Sequence, residues 1–137
     1  DIEREVRSCG LGRSKSRSIV GSCQALVQQF GGAVPDTMED LLSLPGIGRK
    51  SANVILSNAF GVPAFAVDTH VGRLARRLGL TSASSPDAVE RDVTALIPRE
   101  RWSRAHHLLI WHGRRCCHSR NPECDRCVVA ELCPSRP

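Results

Sequence analysis

The stretch "SLPGIGRKSANV", Ser43–Val54, decides the fold. Leu44 ends a short apolar segment, Pro45-Gly46-Ile47-Gly48 interrupts it, and a helix-periodic run begins at Arg49. Two phosphate-loop readings fail. A Walker loop needs four residues between its glycines and a lysine directly after the second; here Ile47 alone separates the glycines, and Arg49 precedes Lys50. A dinucleotide loop needs a third glycine where Ser51 stands. Both also need a preceding strand. The stretch fits a helix–hairpin–helix instead. Gly46 and Gly48 permit unusual backbone angles and close approach of N–H groups to a phosphate, and the new helix adds its dipole. Such a grip holds the nucleic-acid backbone and reads no sequence. Its candidate contacts are Pro45, Gly46, Ile47, Gly48 and Arg49, with Ile47 also pinning the hairpin to the core. The plainer alternative is a glycine turn that only packs two helices.

Lys50 separates holding from chemistry. Of the 19 cationic residues, only Lys15 and Lys50 are lysine, so an arginine would be this chain's habit for a phosphate contact. Arginine stays protonated, whereas a partly desolvated lysine near a helix start can lose its proton and attack a sugar carbon to form a Schiff base. That chemistry also needs a carboxylate to stabilise positive charge or move protons. Asp68, after the apolar "FAV" and before "THVGR", is the candidate, expected at a partly buried helix start. A simple helix cap is the alternative role.

Outward from the hairpin, the pattern is all-α. Ile19, Cys23, Leu26, Val27 and Phe30 recur at helical spacing before Gly31-Gly32. Thr37 and Asp40 resemble a cap pair ahead of Leu41. Further helices are expected over 49–59, after Asp68 with Gly79 beyond the end, from Ser85-Pro86, and through "RWSRAHHLLIWHG". Cys23 is expected on an apolar helical face, and Trp102 and Trp111 in the core. His106, His107 and His112 read as core or surface residues, since His107 and His112 share no helical face.

The net charge of +5 and pI near 9.1 favour an anionic partner such as nucleic acid. No apolar run is long enough to span a bilayer. The opening "DIEREVRSCG" is not built like a signal peptide, and the first residue is not methionine. The sequence is therefore expected to be a fragment or processed product.

The far end carries a dense thiol pattern: Cys117, Cys124, Cys127 and Cys133 within "CHSRNPECDRCVVAELC". Disulfides are disfavoured beside so many good helices and no sign of secretion. Metal or cluster ligation explains the spacing better. Structural zinc usually pairs two CxxC knuckles, and only one is present, so an iron–sulfur cluster is favoured while zinc stays open. Cys116 is a spare thiol beside the set, and Arg114, Arg115, Arg120 and Arg126 surround it with positive charge.

Together "LPGIGRKSANVILSNAFG", "AVDTH", "HHLLIWHGRRCC" and the four-cysteine spacing resemble the endonuclease III family of helix–hairpin–helix glycosylases. The resemblance runs through nearly the whole chain. It implies a helical-barrel lobe over 1–65, a cluster lobe over 66–137 and a [4Fe-4S] cofactor on Cys117, Cys124, Cys127 and Cys133. It implies a bifunctional DNA glycosylase and AP lyase for oxidised pyrimidines, monomeric, nucleoid-associated in a bacterial cytoplasm, on damaged or abasic double-stranded DNA with no membrane partner. Lys50 then matches the Schiff-base lysine and Asp68 the essential aspartate. Leu11 matches a wedge entering the duplex, and the His118–Glu123 loop with Arg120 matches a phosphate contact. The family's first helices have no counterpart in this sequence, so apolar faces are expected to be exposed. Two other classes compete: a non-catalytic DNA-binding module with a structural metal site, and a zinc-knotted interaction domain.

Overall fold

The computed structural model describes residues 2–137. Among them every regular element is helical and no strand occurs. The chain divides into two compact units, one ending at Leu56 and the other spanning Ser57–Pro137.

The first unit opens with a short helix, α1 (Ile2–Glu5), then the long helix α2 (Gly12–Phe30) and the short α3 (Met38–Ser43). Gly31, with φ of 61°, stops α2 in a left-handed cap whose N–H bonds to Leu26 O. The apolar positions of α2 recur as expected, but the helix is not packed along them. Ile19, Val20 and Val27 are exposed, and Cys23, on the same apolar face between Ile19 and Val27, is exposed with them. Only Ala25 of this helix is buried. The helical period is thus present without a packed face in the chain as it stands. Thr37 caps α3 by accepting the Asp40 N–H at 3.2 Å and donates to the Asp40 carboxylate at 2.7 Å. Helix α4 (Arg49–Ala59) follows the hairpin and buries Ala52, Asn53 and Leu56.

The second unit has a clear core. Phe65, Val67, Val71, Ala75, Val89 and Val93 form a buried cluster, with Trp102, Leu109 and Ile110 packed against it. They come from the extended segment before α5 (Thr69–Arg77), from α5 itself, and from α6 (Pro86–Leu96) and α7 (Trp102–Arg115). Full burial of each such apolar side chain stabilises the fold by about 1.5–3 kcal/mol before entropy is counted. Ser85 caps α6 through the Ala88 N–H, and Pro86 occupies the first turn, where its missing N–H costs nothing. His106 is a core residue: its Nδ1 donates to Ala66 O at 2.7 Å, and its ring meets Phe65 edge-on. Trp102 enters the core as expected and donates Nε1–H to Ile97 O at 2.9 Å. Trp111 does not. It is 51% exposed on the same outward stripe of α7 as Leu108, with the Arg115 guanidinium 4.5 Å from its ring centre.

Candidate active site and metal centre

The hairpin is built from short-range bonds. The Ile47 N–H returns to Leu44 O at 3.1 Å, and the Ala52 N–H reaches Gly48 O at 2.9 Å, which makes Gly48 the residue that opens α4. The two glycines have different jobs. Gly46 sits at φ of 78°, and a Cβ there would stand 2.4 Å from Cβ and Oγ of Ser18. Glycine is required for the hairpin to lie against α2. Gly48 has no positive φ, and a Cβ there would meet nothing within 4 Å. Packing within the described residues does not require glycine there. Ser22 Oγ donates to Pro45 O at 2.5 Å and fixes the hairpin from the other side.

Leu11 is 81% exposed and holds a left-handed backbone, φ 51° and ψ 34°, at the start of α2. An apolar side chain on a backbone that leucine rarely adopts is costly, on the order of 1–2 kcal/mol, and such strain clusters at functional positions. Leu11, Pro45, Gly46 and Ile47 line one concavity of about 450 Å³ within the first unit. Arg49 and Lys50 stand beyond it, exposed in the first turn of α4. The first-turn N–H groups of a helix have no intrahelical acceptor, so this end of α4 faces outward with donors and a positive dipole end. Lys50 is therefore not desolvated by the chain itself, contrary to the partial burial expected of it.

Asp68 lies in the second unit and caps α5. Its Oδ1 accepts the Val71 N–H at 2.8 Å, and its side chain is half-buried after the fully buried run 64–67. The cap bond takes one carboxylate oxygen.

The tail after α7 has little secondary structure, only the single turns Cys124–Arg126 and Ala130–Leu132. Its cysteines nevertheless converge. Cys117, Cys124, Cys127 and Cys133 line one cavity together with Cys116 and His112, and none is in a disulfide. Free, half-buried thiols facing a common space suit a polythiolate-bound cluster. Two arginines of α5 hold the tail, and sequence reasoning missed both. Arg73 Nη2 donates to Gly113 O at 3.0 Å and Cys117 O at 2.9 Å. Arg77 Nη1 lies 3.2 Å from Cys117 Sγ and 2.6 Å from His118 O, while Nη2 reaches Ser119 O at 3.0 Å. Their signal was the four-residue spacing on the helix face opposite buried Val71, Leu74 and Ala75. Glu123 closes the next loop through His118 at 3.4 Å and Arg126 at 3.0 Å, leaving Arg120 exposed beside Asn121, which has φ of 51°. Burial pushes the Cys116 thiol above its ordinary range, with Cys127, Glu123 and Cys117 adding to the effect.

Residues 1–99 match the HhH-GPD superfamily base excision DNA repair protein family. The chain belongs to that superfamily. Residues 117–133 match the iron–sulfur binding domain of endonuclease III, and the cofactor of this domain is a [4Fe-4S] cluster. Among relatives, an endonuclease III of Synechocystis sp. is 48% identical over 98% of this chain and 62% of its own length. That of Bacillus subtilis is 42% identical over 97% and 61%. A solved endonuclease III trapped in a covalent intermediate with DNA superimposes with a TM-score of 0.94 at 44% identity, over 98% of this chain and 63% of that one. A thermostable thymine-DNA glycosylase, 24% identical with a TM-score of 0.85, shares the fold. The chain thus spans about three-fifths of the length of the relatives it matches.

Proposed function

We propose that the protein is a base-excision-repair DNA glycosylase with AP lyase activity on oxidised pyrimidines. The observation that carries this reading is Lys50, an exposed lysine in the first turn of the helix that opens at Gly48, in a chain of this superfamily. In the proposed reaction the hairpin N–H groups and the start of α4 hold a phosphate of double-stranded DNA, and Arg49 adds charge. The target nucleotide leaves the stack, because its C1′ is out of reach inside the duplex. Leu11, apolar and already projecting, suits the space left between the bases. Lys50 Nζ attacks C1′ as the C1′–N bond to the damaged base breaks, and the base leaves carrying the electron pair and a proton. The attached nitrogen then loses a proton and the sugar ring opens, the C1′–O4′ bond breaking as O4′ takes a proton, which gives the imine. This acidifies C2′, and loss of a C2′ proton expels the 3′ phosphate and nicks the strand. Bound DNA supplies the burial that favours the neutral amine, since the chain alone leaves Lys50 in water. Asp68 is the carboxylate this chemistry needs, stabilising positive charge on the sugar and assisting Lys50. Cys117, Cys124, Cys127 and Cys133 hold the cluster, whose contribution is to order the tail. Arg120 then offers a phosphate contact from the loop it shapes. The protein acts as a monomer on damaged or abasic sites of bacterial nucleoid DNA.

Borohydride reduction on abasic duplex tests this directly. The iron-replete chain is expected to give a covalent DNA adduct, Lys50→Gln none, and Asp68→Asn a reduced yield. Absence of any adduct from folded, iron-replete protein rejects the lyase reading and leaves a DNA-binding module.

A further inference from the structure

A second set of donors overlaps the cluster cysteines. A ring nitrogen of His112, Cys116 Sγ and Cys127 Sγ lie within 4.8 Å of one another, all three residues half-buried. His112 Nε2 and Cys127 Sγ are 3.5 Å apart. Zinc bonds of about 2.0–2.1 Å to imidazole and about 2.3 Å to thiolate, opened to a tetrahedral angle, place nitrogen and sulfur about 3.6 Å apart. The observed edge already has that length.

The backbone keeps these donors in place. Cys116 is the residue that caps the C-terminal end of α7, four residues after His112. Its N–H bonds to His112 O at 3.0 Å, and its carbonyl accepts the Glu123 N–H at 3.0 Å. Cys127 is set by a turn in which its N–H meets Cys124 O at 3.2 Å. One imidazole and two thiols form a borderline-soft donor set, which suits zinc and is not the four-thiolate set of an iron–sulfur cluster.

We propose that His112, Cys116 and Cys127 form an alternative zinc site whose fourth position is taken by water. The proposal rests on Cys127 being a cluster ligand as well. Sharing it makes the two occupancies exclusive, so zinc binds only to chain that lacks the cluster. Binding releases the two thiol protons to solvent and uses the neutral imidazole.

The test grows the full chain in iron-replete and in iron-limited, zinc-supplemented medium, measures both metals, and records the zinc X-ray absorption spectrum. Expected are about one zinc per iron-free chain and a shell of one imidazole nitrogen, two sulfurs and one oxygen. Cys116→Ser and His112→Gln should each weaken zinc affinity at least about tenfold, while Cys116→Ser grown with iron keeps its cluster absorbance. A four-sulfur shell without imidazole, no zinc uptake, or Cys116→Ser with unchanged zinc affinity overturns the proposal. Iron-replete wild type without cluster iron would instead overturn the cluster assignment. The wild-type spectrum decides even where a variant folds poorly.

Discussion

The hairpin and the cysteine tail are both loops that follow a helix, yet they are held in opposite ways. The hairpin, Leu44 to Lys50, is fixed by the protein's own contacts: two short-range backbone bonds, and two contacts from α2, where Ser18 stands against Gly46 and Ser22 donates to Pro45 O. It needs no ligand to keep its shape. The tail from Cys117 to Cys133 has two single turns and no buried residue. Val128 and Leu132 are 91% and 83% exposed. Its order comes from two arginines reaching in from α5, and from thiols that face a common space. So little apolar burial suits a segment whose order a bound cluster completes. One loop is therefore held by packing and hydrogen bonds of the polypeptide, the other by a cofactor.

Iron removal should break that contrast most visibly. Chelation, or Cys124→Ser, is expected to abolish amide protection across 117–133 in hydrogen exchange while the hairpin amides and α4 keep theirs. Equal loss in both loops would show that the tail does not depend on metal more than the hairpin does. Next in size is Gly46→Ala, which forces a Cβ onto Ser18 at positive φ. Urea unfolding should register a loss of about 2–3 kcal/mol. Arg77→Ala comes third: it frees the carbonyls of His118 and Ser119 and removes an N–H from Cys117 Sγ. A loss of about 1–2 kcal/mol and faster exchange at residues 118–120 are expected, with helicity unchanged by circular dichroism. Smallest on stability is Gly48→Ala, within about 0.5 kcal/mol because its Cβ meets open space. Its duplex affinity should fall with little regard to sequence, measured by fluorescence anisotropy at fixed salt.

Much of this was legible in the residues. The hairpin was readable because glycine, proline and a capped helix start act over four or five residues. Thr37, Asp68 and Ser85 were readable as caps for the same reason, and each accepts the expected backbone N–H. The thiol spacing pointed to a metal without any structure. Less legible were features that depend on what packs where. Cys23 and Trp111 lie at apolar-periodic positions, but periodicity states only that a face exists, not that something covers it. Lys50 was expected to be partly shielded, and the chain leaves it exposed. The three-donor group at His112 escaped notice because its i, i+4 partner was a cysteine set aside as spare and its third member lies eleven residues further on.

The sequence by itself determined an all-helical chain, a glycine hairpin with one lysine after it, and a four-cysteine pattern, since each depends on spacing along the backbone. Only the tertiary structure decided that Gly46 is sterically obligatory while Gly48 is not. It alone joined Arg73 and Arg77 to a tail some forty residues away and set His112 against Cys127. These are contacts between distant segments, whose free energy comes from packing and paired polar groups that no local pattern encodes.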